Sequence, residues 1–170
     1  MPLRLNGKRA TQRCEDVFRG LARSKGGCTE SEKARYYSRI SGPLLDRIDI
    51  QVDVPEVKFR DIVSRTPAES SAAIRARVTA ARERQLVRFK GRKIYANARM
   101  GPKDIKRYCG IPDEAEKLLE TAVTRLGFSA RAYDRILKVA RTIADLEARD
   151  TIETVHVSEA VQYRMMDKFR

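Results

Sequence analysis

The chain has no tryptophan, one histidine and three cysteines, and none of these scarce residues is spaced for chemistry. Cys14, Cys28 and Cys109 are odd in number and form no C-x-x-C pair, so neither a disulfide framework nor a zinc site is signalled. His156 stands alone near a helix start in "TVHVSEA", where it reads as a cap or packing residue. No nucleophile and base, and no metal-ligand cluster, can be assembled around it. Long apolar runs are also missing: nothing approaches the roughly 20 residues that span a bilayer, and the N-terminus lacks the apolar core of a signal peptide. The expectation is a cytoplasmic protein with no membrane partner and no resident metal.

Positive charge is what the chain does have. Lys and Arg number 36 against 23 Asp and Glu, a net +13. From Ala72 to Arg107 there are 12 basic residues and 2 acidic ones, whereas residues 108 to 170 sum to −1. Such a block favours a polyanion, because each phosphate neutralised releases condensed counterions. Arg75, Arg84, Arg88, Lys90, Arg92 and Lys93 are the candidate phosphate contacts, and reversing Arg84, Arg88 and Arg92 to Glu is expected to weaken binding to all sequences alike while leaving helicity intact. Base readout is not expected, since Asn and Gln are few and only Phe89 and Tyr95 offer stacking surfaces. The competing reading is a solvated helix face.

At 170 residues the chain has the length of one domain, or of one domain with a helical appendage. Residues 1 to 30 show no sustained periodicity apart from a short helix at "CEDVFRGLAR". Ser31 caps a helix through "SEKARYYSRI" that Gly42-Pro43 ends. Ile48, Ile50, Val52 and Val54 then alternate with polar residues, which predicts a half-buried strand over 47 to 54 stopped by Pro55. No second strand follows, so this one is expected to be unpaired or abnormally paired.

The remainder reads as helices: Ala68 to Lys90, a short one after Gly101-Pro102, Asp113 to Leu126, Ser129 to Ala148, and His156 to Met166. In the first, Ala73, Ile74, Val78, Ala81, Leu86 and Phe89 form a thin apolar stripe. In the fourth, Ser129 is the expected N-cap, and Tyr133, Ile136, Leu137, Ala140, Ile143 and Ala144 share a face. Asp134/Lys138 and Arg141/Asp145 pair at i,i+4 on the opposite side. Arg131 then falls in the first turn, where a cation faces the positive end of the helix dipole at a cost of about 0.3 to 1 kcal/mol unless an anion comes to it.

Two stretches, "YYSRISGPLLDRIDIQVDVP" and "SARAYDRILKVARTIADLE" followed by "HVSEAVQYR", resemble the C-terminal part of the YifB/ComM magnesium-chelatase-like AAA+ ATPases. The resemblance runs from about Tyr36 to Arg164. It implies that Arg47, in "LLDRID", is an arginine finger reaching the nucleotide of a neighbouring subunit, with Asp46 and Asp49 holding its side chain. Fingers of this kind are worth about 10³ to 10⁵ in rate. It also implies that Arg131, in "SARAYDR", is the sensor-2 arginine that closes a helical lid over ATP. Departures are plain: no G-x-x-x-x-G-K-[ST] and no apolar run ending in Asp-Glu occurs, so the phosphate loop and the Mg²⁺-holding acid are missing. The cysteine-rich segment that precedes the motif in the family is not matched, with Cys28 as its one remnant.

These readings give a mainly α chain: an AAA+ helical lid bundle with one short strand from the end of an ATPase core. A poorly defined segment spans 1–30, the end of the core 31–66 and the lid 67–170. The chain is expected to be a piece of a longer, homo-oligomeric motor, a hexamer, that uses ATP and Mg²⁺ and handles DNA. Alone it is expected to hold no cofactor and to hydrolyse no ATP. The alternative is a basic helical DNA-binding module acting without nucleotide, and a third option is a protein-interaction adaptor.

Overall fold

The computed structural model describes residues 47–52, 63 and 68–164. Contacts divide the chain into residues 1–45 with 169–170, and residues 46–168; every described residue belongs to the second unit. The helix expected after Ser31, the "CEDVFRGLAR" helix, Cys14, Cys28 and Asp46 lie outside the described residues.

That unit is built from helices, as expected. Five of them, α1 (Ser71–Arg88), α2 (Pro102–Tyr108), α3 (Asp113–Leu126), α4 (Ala130–Leu146) and α5 (Thr154–Gln162), are joined by short connections, and a 3-10 turn at Asn97–Arg99 interrupts the link between α1 and α2. The caps explain most of the boundaries. Ser70 Oγ accepts the Ala73 amide at 3.2 Å and starts α1, three residues later than the periodicity suggested. Ser129 Oγ does the same for the Ala132 amide in α4, as expected. Pro102 opens α2 where its missing N–H costs nothing, and Gly127, at φ +65°, closes α3 in the left-handed region that a side chain would strain. The last helix begins at Thr154 and ends at Gln162, with His156 in its first turn.

α4 is the axle of the unit. Ala132, Ile136, Leu137, Ala140, Ile143 and Ala144 on one broad face of it share a core with Val157, Ala160 and Val161 of α5, on which α3 packs with Ala115 and Leu119, and with Ile152 in the loop between α4 and α5. Phe89, Met100, Ile105 and Cys109 extend the same core beneath α2. α1 meets this core only over its second half, through Ala81, Gln85 and Phe89 at i, i+4 and i+8. The expected stripe is therefore displaced: Ile74, Val78 and Leu86 remain exposed, and residues 71–80 are exposed throughout.

Residues 47–52 form no strand. Ile48, Ile50 and Val52 are all on the outside, and the backbone bonds that a sheet would supply are replaced by bonds to the helices. The half-buried strand expected over 47 to 54 is therefore corrected in its described part, where the segment bonds to helix residues instead of to another strand.

Candidate functional site

Segment 47–52 lies along α4 and the end of α5 and is fixed there by two arginines. Arg135, on α4, forms an ion pair with Asp49 and donates a second bond to the Arg47 carbonyl at 3.2 Å. Arg164, fully buried just beyond α5, donates to the Ile48 carbonyl at 2.9 Å. The Gln51 amide donates to the Tyr163 carbonyl at 2.8 Å. The backbone carrying Arg47 is thus clamped to the helices while its side chain is left exposed, and among the described residues that side chain makes no ion pair. The expectation that Asp49 holds Arg47 is corrected: Asp49 is taken by Arg135.

Arg131 lies one turn before Arg135 on α4. It is exposed, makes no ion pair among the described residues, and lines a hollow of about 210 Å³ with Asp49, Ala98, Asp134, Arg135 and Lys138. Of the two residues singled out from the sequence, Arg131 lines this hollow with Asp49 and Arg135, whereas Arg47 does not line it and is joined to it through its backbone carbonyl, which Arg135 holds. The sequence alone assigns no role to Arg135 and Arg164, although both sit inside the quoted motifs. Their role depends on contacts 88 and 116 residues away, which no local pattern encodes.

The basic segment divides into cations that are partnered and cations that are not. Arg88 is spent in the interior. Its two terminal nitrogens reach both oxygens of Asp145 at 2.7 and 2.5 Å, and it also donates to Asn97 Oδ1 at 2.9 Å. This carboxylate holds the Arg88 guanidinium above its ordinary pKa despite partial burial. Asp145 also receives Arg141 at 3.1 Å and the Asn97 amide at 2.8 Å. Arg141 and Asp145 are consequently buried, not on an outer face, and burial lowers the Arg141 pKa. Arg84 reaches Asp150 at 2.9 Å and the Ala148 carbonyl at 2.8 Å. Arg92 pairs with Asp104 at 2.5 Å, and the Gly101 amide together with Arg92 keeps the Asp104 carboxyl below its usual range. Arg75, Lys90 and Lys93 are exposed without an ion pair among the described residues. Of the two stacking candidates, Phe89 is core and Tyr95 is exposed.

Buried at the start of α5, His156 accepts the Glu153 amide on Nδ1 at 2.8 Å, and its Nε2 lies 3.0 Å from Glu147. It is a cap and packing residue. Among the described residues no group of three His, Cys, Asp or Glu side chains could hold a metal, and no helix is long and apolar enough to cross a membrane.

Comparison with known proteins agrees with this architecture. Residues 68–164 match the family described as magnesium chelatase, subunit ChlI C-terminal, and residues 9–62 match magnesium chelatase, subunit ChlI. The chain is 44% identical to YifB of Escherichia coli over 143 residues, which is 83% of this chain and 27% of that protein. It is 43% identical to YifB of Salmonella typhimurium over the same length, and 43% identical to the competence protein ComM of Haemophilus influenzae over 133 residues, 78% of this chain and 25% of ComM. The chain thus spans about a quarter of the length of these curated relatives. With a helical unit that coincides with the matched region and relatives similar over most of its length, the chain belongs to the magnesium chelatase ChlI C-terminal family.

Proposed function

We propose that this chain forms part of an ATP-driven, DNA-handling oligomeric motor, in which Arg47 acts as an arginine finger on a neighbouring subunit's nucleotide and Arg131 contacts ATP phosphate as sensor-2. The observation that carries the reading is a contrast among neighbours. Asp49 and Arg135 satisfy one another, whereas Arg47 and Arg131 are exposed and make no ion pair among the described residues. An arginine in the first turn of α4 opposes the helix dipole, and it becomes favourable when a phosphate arrives. ATP and Mg²⁺ would be held by a phosphate loop and an acidic ligand that this sequence does not contain, so the isolated chain is expected to turn over no ATP. The alternative, a DNA-binding module acting without nucleotide, uses the same exposed cations of residues 75–107 but gives Arg47 and Arg131 no task.

The test is a chimaera in which residues 36–164 replace the matching segment of the E. coli YifB relative, assayed for ATP hydrolysis beside the unaltered relative. Arg47→Ala should lower turnover by about 10³-fold or more with nucleotide binding retained. Arg131→Ala should chiefly weaken nucleotide binding. Unchanged turnover with Arg47→Ala would remove the finger from the reading.

A further inference from the structure

The corner where α1 turns into α2 gathers charge that the fold does not use. Residues 89–108 hold seven basic side chains and one acidic one, Asp104, and that acid is already paired with Arg92. Gly91, at φ +77°, lets the chain reverse after α1, and the Arg92 amide closes the turn on the Phe89 carbonyl at 2.9 Å. The Arg92 to Asp104 bridge then fastens this reversal to α2. Tyr108 completes the joint: its ring and that of Phe89 are edge-to-face with centroids 5.7 Å apart, and the Arg107 guanidinium lies over the Tyr108 ring at 5.2 Å. The bridge ties the loop that carries Lys90 and Lys93 to the helix that carries Lys103 and Arg107, and all four side chains are exposed.

Within the same loop, two residues after Lys93, Tyr95 is 63% exposed, an aromatic ring held in water. It is two residues before Asn97, which Asp145 and Thr142 anchor in the interior at 2.8 and 3.1 Å. The ring thus stands on a fixed base, and a stacking partner need not order the backbone beneath it.

We infer that this corner is a docking surface for a nucleic-acid strand with accessible bases: Tyr95 stacks on a base, and Lys90, Lys93, Lys103 and Arg107 line the phosphate path. A cationic groove with an aromatic platform is the arrangement that takes single strands without reading sequence. A duplex presents its phosphates but not its base faces, so it would use the cations alone. The inference rests on the DNA-handling part of the proposed function and is independent of ATP chemistry.

The experiment is fluorescence anisotropy of the chain with a labelled poly-dT strand of about 20 nucleotides and with a duplex of equal length, across a salt series. Tyr95→Ala should weaken poly-dT binding by about five-fold or more, leave duplex binding nearly unchanged, and be rescued by Tyr95→Phe. Lys90→Glu with Lys93→Glu should weaken both and flatten the poly-dT salt slope by about 1.4, from roughly 0.7 per phosphate contact. All these side chains are on the surface, so unfolding midpoints should stay at the wild-type value. Equal poly-dT binding by Tyr95→Ala and wild type overturns the stacking role; unchanged binding by the double reversal, or no binding by the wild type, overturns the surface itself. The chimaera assayed for ATP hydrolysis keeps its turnover with Tyr95→Ala in every case, so failure here leaves the ATPase reading standing.

Discussion

Asp145 has no exposed side-chain surface, yet it receives Arg88 from α1, Arg141 from its own helix and Asn97 from the 3-10 turn. Removing one partner of such a buried set strands the remaining charges, which costs about 3 to 5 kcal/mol. Asp145→Ala and Arg88→Ala should each lower the unfolding free energy, read from denaturant titration, by that order. Arg84→Ala, whose partner Asp150 is 93% exposed, should cost about 1 kcal/mol or less. The triple reversal of Arg84, Arg88 and Arg92 is therefore no clean test of DNA binding, because Arg88→Glu sets a second carboxylate against Asp145. The i,i+4 spacing of Arg141 and Asp145 was visible in the sequence. Their burial was not, because it depends on Arg88, 57 positions away from Asp145.

At the scale of elements, the caps were the legible part. Ser129 and Pro102 act locally, so residue type and position sufficed to place the helix starts they set. The face of α1 was not legible: Gln85 is polar and occupies the buried line between Ala81 and Phe89, while the apolar Ile74, Val78 and Leu86 point away from it. Segment 47–52 has the alternation of a strand, but its backbone is bonded to Tyr163, Arg135 and Arg164, a choice made by tertiary contacts. Ala148 ends α4 at φ 58°, with the Arg149 amide returning to the Ala144 carbonyl at 2.8 Å and Arg84 bonded to its carbonyl. A side chain in this left-handed conformation is strained by about 1 to 2 kcal/mol. Ala148→Gly relieves that strain, and the gain is offset in part by greater freedom in the unfolded chain. Thermal unfolding should show a net stabilisation of about 0.5 to 1 kcal/mol, and a lower midpoint would contradict it.

Taken as a whole, the described molecule is a helical unit with one clamped segment, and its surplus charge lies on one corner. The helical class and the family were legible because the two motifs lie within continuous stretches; which arginines are exposed and which are internal was settled only by packing. Cys109 caps α2 inside the shared core, 4% exposed, and burial pushes its thiol up to about 11. Such a sulfur is almost entirely protonated near pH 8 and shielded from reagents, so it can be alkylated only when the core opens. The protein therefore carries an internal clock. In a Cys14→Ser, Cys28→Ser background, iodoacetamide should modify Cys109 far more slowly than a free thiol in water, and Asp145→Ala should speed it by about tenfold for each 1.4 kcal/mol of stability lost. Fast modification in the native protein would show that the region under α2 opens independently of the rest.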